Sequence, residues 1–118
     1  MPYMLLILES RAQRPSRTPE EGHAVYDRMV RFSEDLQARG LLVATNSLRS
    51  DREGVRVQVR EGRCTLLDGP FSESKEMVGG FFYLNCQTRD EAVAIAATCP
   101  AAEWATVEVR EVGPCYDH

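Results

Sequence analysis

Residues 66–85, LLDGPFSESKEMVGGFFYLN, hold several side chains able to do chemistry. An apolar run breaks at Asp68-Gly69-Pro70-Phe71. A set of Glu73, Lys75 and Glu76 follows, and Gly79-Gly80 opens a second apolar run. Asp68 has two roles open to it. It can accept backbone N–H bonds and shape its own turn, with Gly69 free to take positive φ, or it can serve as a base. Hydrogen bonds to an ionised carboxylate lower its pKa, so a capping Asp suits a fixed acceptor better than a proton abstractor. Lys75, the only lysine among 14 basic residues, can pair with Glu73 or Glu76 on the surface or reach an anionic ligand. His23 brings the one side-chain type that titrates near neutrality without help, which is what general acid–base catalysis asks for.

These residues must be placed by secondary structure. Tyr3–Glu9 is apolar on both faces and reads as a central strand. Thr18-Pro19-Glu20-Glu21 is a helix start, with Thr18 as cap, Pro19 at the first helical position and Glu21 completing a capping box. Val25, Met29, Phe32 and Leu36 recur at helical spacing until Gly40. At about 100° per residue, His23 lies on the side away from that stripe, so it faces solvent, a partner or a cleft rather than the core.

Leu41–Leu48 is a second strand. Val55, Val57 and Val59 alternate with polar residues, and Glu61-Gly62-Arg63 turns the chain back, so 55–67 is a hairpin with one wet face. Ser72 can cap a short helical turn through Glu76. Gly80–Cys86 is an aromatic-rich strand, in which either Phe81/Tyr83/Asn85 or Phe82/Leu84/Cys86 must look away from the helices. Tyr83 and Asn85 make the first set the better lining for an interface or ligand cleft. Thr88-Arg89-Asp90-Glu91 is a second capping box, before a helix with Ala92, Ile95, Ala96 and Cys99 inside and Pro100 as its stop. Ala105–Val112 is the last strand. The order β-α-β-(hairpin)-β-α-β predicts an α+β, ferredoxin-like fold, with two helices on one face of an antiparallel sheet. The other sheet face, left mixed rather than polar, predicts a homodimer packed sheet to sheet.

Composition narrows the function. At 118 residues the chain is long enough for one core, and 43% hydrophobic with 27% charged residues is a globular balance. A net charge of −4 argues against nucleic-acid binding, which needs a basic surface. The basic loop cluster Arg11, Arg14 and Arg17 reads as a solvated loop, with attraction of an anionic ligand as the other reading. No apolar run reaches the roughly 18–20 residues of a membrane span, and the N-terminus lacks the marks of a signal peptide, so the expected location is cytoplasmic. Cys64, Cys86, Cys99 and Cys115 form no Cys-x-x-Cys and have no His at ligand spacing. Free thiols, no metal and no cofactor are expected, with Cys86 acting as a small hydrophobe.

The ordered set "YMLLI", "DGPFSESKE" with "GGFF", "DEAVAIAATCP" and "VEVREV" resembles the YCII-related family, in its DGPF-domain branch, over nearly the whole chain. The resemblance implies one domain over 1–118 and a dimeric α/β-barrel-type assembly with a cleft at the interface. It implies small-molecule binding there with lyase-like acid–base chemistry, since some relatives resemble lyases or dehydrochlorinases acting on small cyclic compounds. It also implies an alternative: a non-catalytic regulatory or adaptor domain linked to transcription, because DGPF-type members accompany extracytoplasmic-function sigma factors. A His on the first helix and a later Asp are a proposed catalytic pair in the wider family. His23 matches the first loosely, and Asp68 is the nearest candidate for the second. Trp104, where small residues are more usual, would narrow or cover a cleft.

Overall fold

Six strands and two helices make up the computed structural model, which describes residues 2–116. In chain order they are β1 (Tyr3–Ser10), α1 (Pro19–Ala38), β2 (Leu42–Ser47), β3 (Val55–Arg60), β4 (Arg63–Asp68), β5 (Glu76–Leu84), α2 (Arg89–Thr98) and β6 (Thr106–Glu111). Strands β2-β5-β1-β6 form one antiparallel sheet, and β3-β4 form a separate hairpin. The α+β arrangement is compatible with the ferredoxin-like order, the hairpin being an insertion between β2 and β5.

Alternation along β1 sends Tyr3, Leu5 and Ile7 to one side, where they meet Phe82 and Leu84 of β5. Phe32 and Leu36 of α1 and Ala92, Ile95 and Ala96 of α2 join the same core, so both helices cover one face. Phe32 and Phe82 pack edge to face at 5.2 Å, a geometry that adds to their area burial. Both helix starts form where the sequence predicts. Thr18 accepts from the Glu21 amide and Glu21 accepts from the Thr18 amide, a full capping box. At α2 the Thr88 hydroxyl accepts from the Glu91 amide, but the Glu91 carboxylate reaches past Thr88 to the Gln87 amide.

The opposite sheet face carries Met4, Leu6 and Leu8, beside Phe81 and Tyr83, all half-buried. Phe82, Leu84 and Cys86 are the core set. The expected helical turn after Ser72 is absent. A single turn, closed from the Ser74 amide to the Phe71 carbonyl, leads straight into β5 at Glu76. The reason is pairing: β1 runs on to Ser10, and its last residues need Glu76–Val78 as hydrogen-bonding partners. Gly79 and Gly80 therefore lie inside β5 rather than at its start.

The hairpin departs further from expectation. Every residue of β3 and β4 is exposed, the valine face included. The radius of gyration, 16.1 Å, exceeds the roughly 13.5 Å of a compact chain this long, as a projecting arm requires.

Cys64 and Cys115 are exposed, while Cys86 and Cys99 are buried, and all four are free. Burial pushes the thiols of Cys86 and Cys99 above their ordinary value. An aromatic disulfide reagent at neutral pH should therefore label two thiols quickly and two only on unfolding. Four fast thiols would mean that the core opens.

Candidate functional site

Between the N-terminal half of α1 and the β2–β5–β1 sheet lies a cavity of about 750 Å³, within the range of small-molecule sites. Val25 and Met29 of the α1 stripe, half-buried, line this space, Met29 at the edge of the core. Phe32 and Leu36 pack fully one and two turns on. The stripe is continuous, but α1 stands off the sheet at its start.

The charged part of the wall comes from Glu9, Arg14 and Arg17, beside uncharged polar residues such as Thr45 and Asn46. Glu9 is at the end of β1 on the helix-facing side, 5% exposed, and is the only buried charged residue among the described residues. Its Oε1 accepts from Arg14 Nη2 at 2.5 Å, and the same nitrogen donates to the Gly79 carbonyl at 3.3 Å. A carboxylate can be carried this deep only with such a partner. Gly79 is what makes room for it. A Cβ there would overlap Glu9 Oε1 and lie 2.7 Å from Glu9 Cδ and 2.9 Å from Arg14 Nη2. Gly80 similarly faces the β2 main chain, with the Asn46 carbonyl 2.9 Å from where a Cβ would stand.

The arginine loop is thus not a solvated one. Arg11 forms a two-pronged pair with Asp51, Arg14 is committed to Glu9, and the Arg17 guanidinium lies 5.7 Å from the Trp104 ring centroid. Gln13 adds a side-chain bond to the Trp104 carbonyl at 2.5 Å. A loop spaced Arg-x-x-Arg-x-x-Arg is solvated only if no acid or aromatic meets it, and Asp51, Glu9 and Trp104 arrive from distant parts of the chain. Trp104 follows a 3₁₀ turn over Pro100–Glu103 and lines the cavity. Arg28 also lies over its ring, at 5.5 Å, held by Glu103. That bond keeps the Glu103 carboxyl below its usual range.

The residues singled out in the sequence lie elsewhere. His23 is exposed on α1 and Asp68 is exposed at the end of β4, opposite Val55; neither lines the cavity under α1. Asp68 caps nothing: among the described residues no hydrogen bond reaches its carboxylate. Its turn is held instead by the Gly69 amide bonding to the Gly54 carbonyl and by the buried Phe71. Lys75 is exposed and makes no ion pair among the described residues. Tyr83 looks out from the uncovered sheet face. Asn85 is exposed and donates to the Gly40 carbonyl, tying the end of β5 to the α1–β2 connection. Glu9 is the residue the sequence reading does not single out, while Arg14 and Arg17 stand there as a solvated loop with attraction of an anionic ligand as the other reading. The available signal was an acid at an inward position of a central strand, which must find a buried cation.

No group of three or more His, Cys, Asp or Glu among the described residues is placed to hold a metal. No helix among them is long and apolar enough to cross a membrane. Against this background, a model of the YCII-related domain matches residues 1–115. The chain belongs to the YCII-related family. No curated protein matches it. In this YCII-related chain the "GG" of the DGPF-to-GGFF stretch is explained by packing: Gly79 seats the Glu9–Arg14 pair, and Gly80 admits the β2 backbone.

Proposed function

We propose that this YCII-related protein binds a small molecule in the cavity under α1, as a homodimer of the α/β-barrel type, with lyase-like proton transfer as its chemistry. The observation that carries the reading is the buried Glu9–Arg14 pair on the wall of an otherwise largely apolar cavity. A charged pair is a costly way to fill a core, and apolar residues of similar size often do as well or better. Its position against open space gives it something to act on. Glu9 is the only carboxylate lining the cavity and Tyr26 supplies the one phenol, so proton transfer at this wall falls to these two groups. His23 and Asp68, both exposed, enter this chemistry only where a partner subunit brings one of them to a ligand. Lys75, Tyr83 and Asn85 have the same standing as ligand contacts.

Two uncovered surfaces support the dimer. One is the Met4/Leu6/Leu8 and Phe81/Tyr83 face of the sheet; the other is the valine face of the hairpin. The exposed hairpin also favours a second reading, a non-catalytic adaptor domain linked to transcription whose partner is another protein. The two readings differ in whether the cavity is used.

The test is the melting temperature of the chain against a panel of small acids, phenols and lactones. A ligand at 100 times its Kd adds about 2.7 kcal/mol, which is a rise of several degrees for a domain of this size. Val25→Trp, which fills the cavity from α1, should abolish the rise. A panel without a single stabilising compound, or a rise that survives Val25→Trp, would count against the reading.

A further inference from the structure

We infer that the cavity selects a small organic monoanion, a carboxylate on an apolar ring-sized body, and that Arg17 together with the unused donors of Arg14 receives the carboxylate. This rests on the reading that the cavity binds a small molecule, and goes on to the class of molecule.

Charge on the wall decides the class. Three charged side chains line the cavity: Glu9, Arg14 and Arg17. Glu9 and Arg14 neutralise each other at 2.5 Å. Arg17 is half-buried, lies over Trp104, and forms no ion pair with any described carboxylate. Glu21 is close enough for Arg17 to help lower its pKa, but its carboxylate is bonded to the Thr18 amide and does not line the cavity. The lining therefore carries one uncompensated positive charge. A monoanion matches it. A neutral ligand would cover the Arg17 guanidinium without a counter-ion, and a dianion would bring one charge too many into a space of low polarity.

Donor geometry adds to the count. Arg14 uses only Nη2, for Glu9 and the Gly79 carbonyl; Nη1 and Nε donate to no described group. A guanidinium offers five N–H groups in a flat fork that suits a carboxylate. Arg14 can thus hold Glu9 and a ligand oxygen at once, with Glu9 fixing the fork. The rest of the wall is mostly apolar, with Ile7, Val25, Met29, Phe82 and Trp104 outweighing a few small polar side chains such as Thr45 and Asn46. Such a surface asks for a hydrocarbon body behind the carboxylate. Arg17 over Trp104 also places the cation against an aromatic face, where it keeps some stabilisation before the ligand arrives.

The chain has one tryptophan, so Trp104 emission reports on its own cavity. The full chain would be titrated with benzoate, phenylacetate and cyclohexanecarboxylate, and with the matching neutral amides, by emission and by calorimetry. At least one acid should bind saturably, with its amide weaker by about ten-fold or more, the discrimination expected of a charge-assisted carboxylate contact. Arg17→Gln, which breaks no ion pair and should fold, is expected to erase that preference while leaving amide binding in place. Glu9→Gln should tighten acid binding, because it removes the one negative charge on the wall. Amides binding as tightly as acids, or a preference that survives Arg17→Gln, would overturn the monoanion while leaving the cavity in use. A panel in which neither acids nor amides bind would overturn both the monoanion and the small-molecule reading beneath it.

Discussion

Gly69→Ala should be among the most damaging single substitutions in this protein, lowering stability by about 3 kcal/mol and the melting temperature by roughly 10 °C. A Cβ on Gly69 would overlap the Asp51 carbonyl oxygen, lie 2.9 Å from the Asp51 carbonyl carbon and stand 3.3 Å from the Gly54 carbonyl oxygen. These are main-chain atoms of a turn already anchored by the Arg11–Asp51 pair, so they cannot swing aside as a side chain would. The Gly69 amide also donates to the Gly54 carbonyl at 2.9 Å, and a shift large enough to admit the methyl would strain or break that bond. Gly62→Ala is the control. Gly62 sits at φ +78° with open space around it, so alanine there costs only the left-handed penalty, on the order of 1 kcal/mol. Thermal melts of both variants test this. Equal losses would show that the contact between the DGPF turn and the Asp51 turn is not what makes Gly69 necessary.

Val57→Glu together with Leu66→Glu should convert the proposed dimer to a monomer while leaving the fold intact. Val57 and Leu66 are direct cross-strand partners on one face of the hairpin, flanked by Val55, Val59 and Cys64. Val57 is 58% and Leu66 65% exposed. A two-stranded hairpin in water is marginal by itself, and this one has no core residue of its own to lean on. Its apolar face gains stability only by being covered, and the proposed cover is the second subunit. Placing two carboxylates at the centre of that face would remove the apolar gain and bury like charges. Light scattering should give twice the 13.3 kDa chain mass for the unmodified protein and the single-chain mass for the double variant, with circular dichroism unchanged. A monomeric unmodified protein at micromolar concentration would end the dimer proposal. A dimeric double variant would confine the contact to the sheet face and release the hairpin to another protein, as the adaptor reading requires.

The elements themselves were legible in the chain. Local chemistry sets them: Thr18 and Thr88 cap because a short hydroxyl can satisfy free helix amides, and the alternation of β5 and β6 divides their residues between two faces before any contact is known. In β5 that period separates Phe81/Tyr83/Asn85 from Phe82/Leu84/Cys86, and the polar groups of Tyr83 and Asn85 mark the outward set. The placement of His23 away from the core came from helical angle alone. The extent of β5 did not, because its first residues are strand only by virtue of β1 lying beside them.

The functional wall belongs to the tertiary structure. Arg11, Arg14 and Arg17 look like a solvated loop until Asp51, Glu9 and Trp104 are brought to them from 40, 5 and 87 positions away. Even the nearest of these pairs, Glu9 with Arg14, is recognisable only once Glu9 is known to be buried. Asp68 shows the converse. Asp-Gly-Pro announces a turn with a capping acid, yet the Gly54 carbonyl and the Phe71 ring hold that turn, and the carboxylate is left in the open. Sequence period reports which way a side chain points, because that is fixed within a few residues. It does not report what stands opposite. Pairing of charges, the standing-off of α1 from the sheet and the fit of Gly79 around Glu9 all depend on segments far apart in the chain, and only their packing brings them within ångströms of each other.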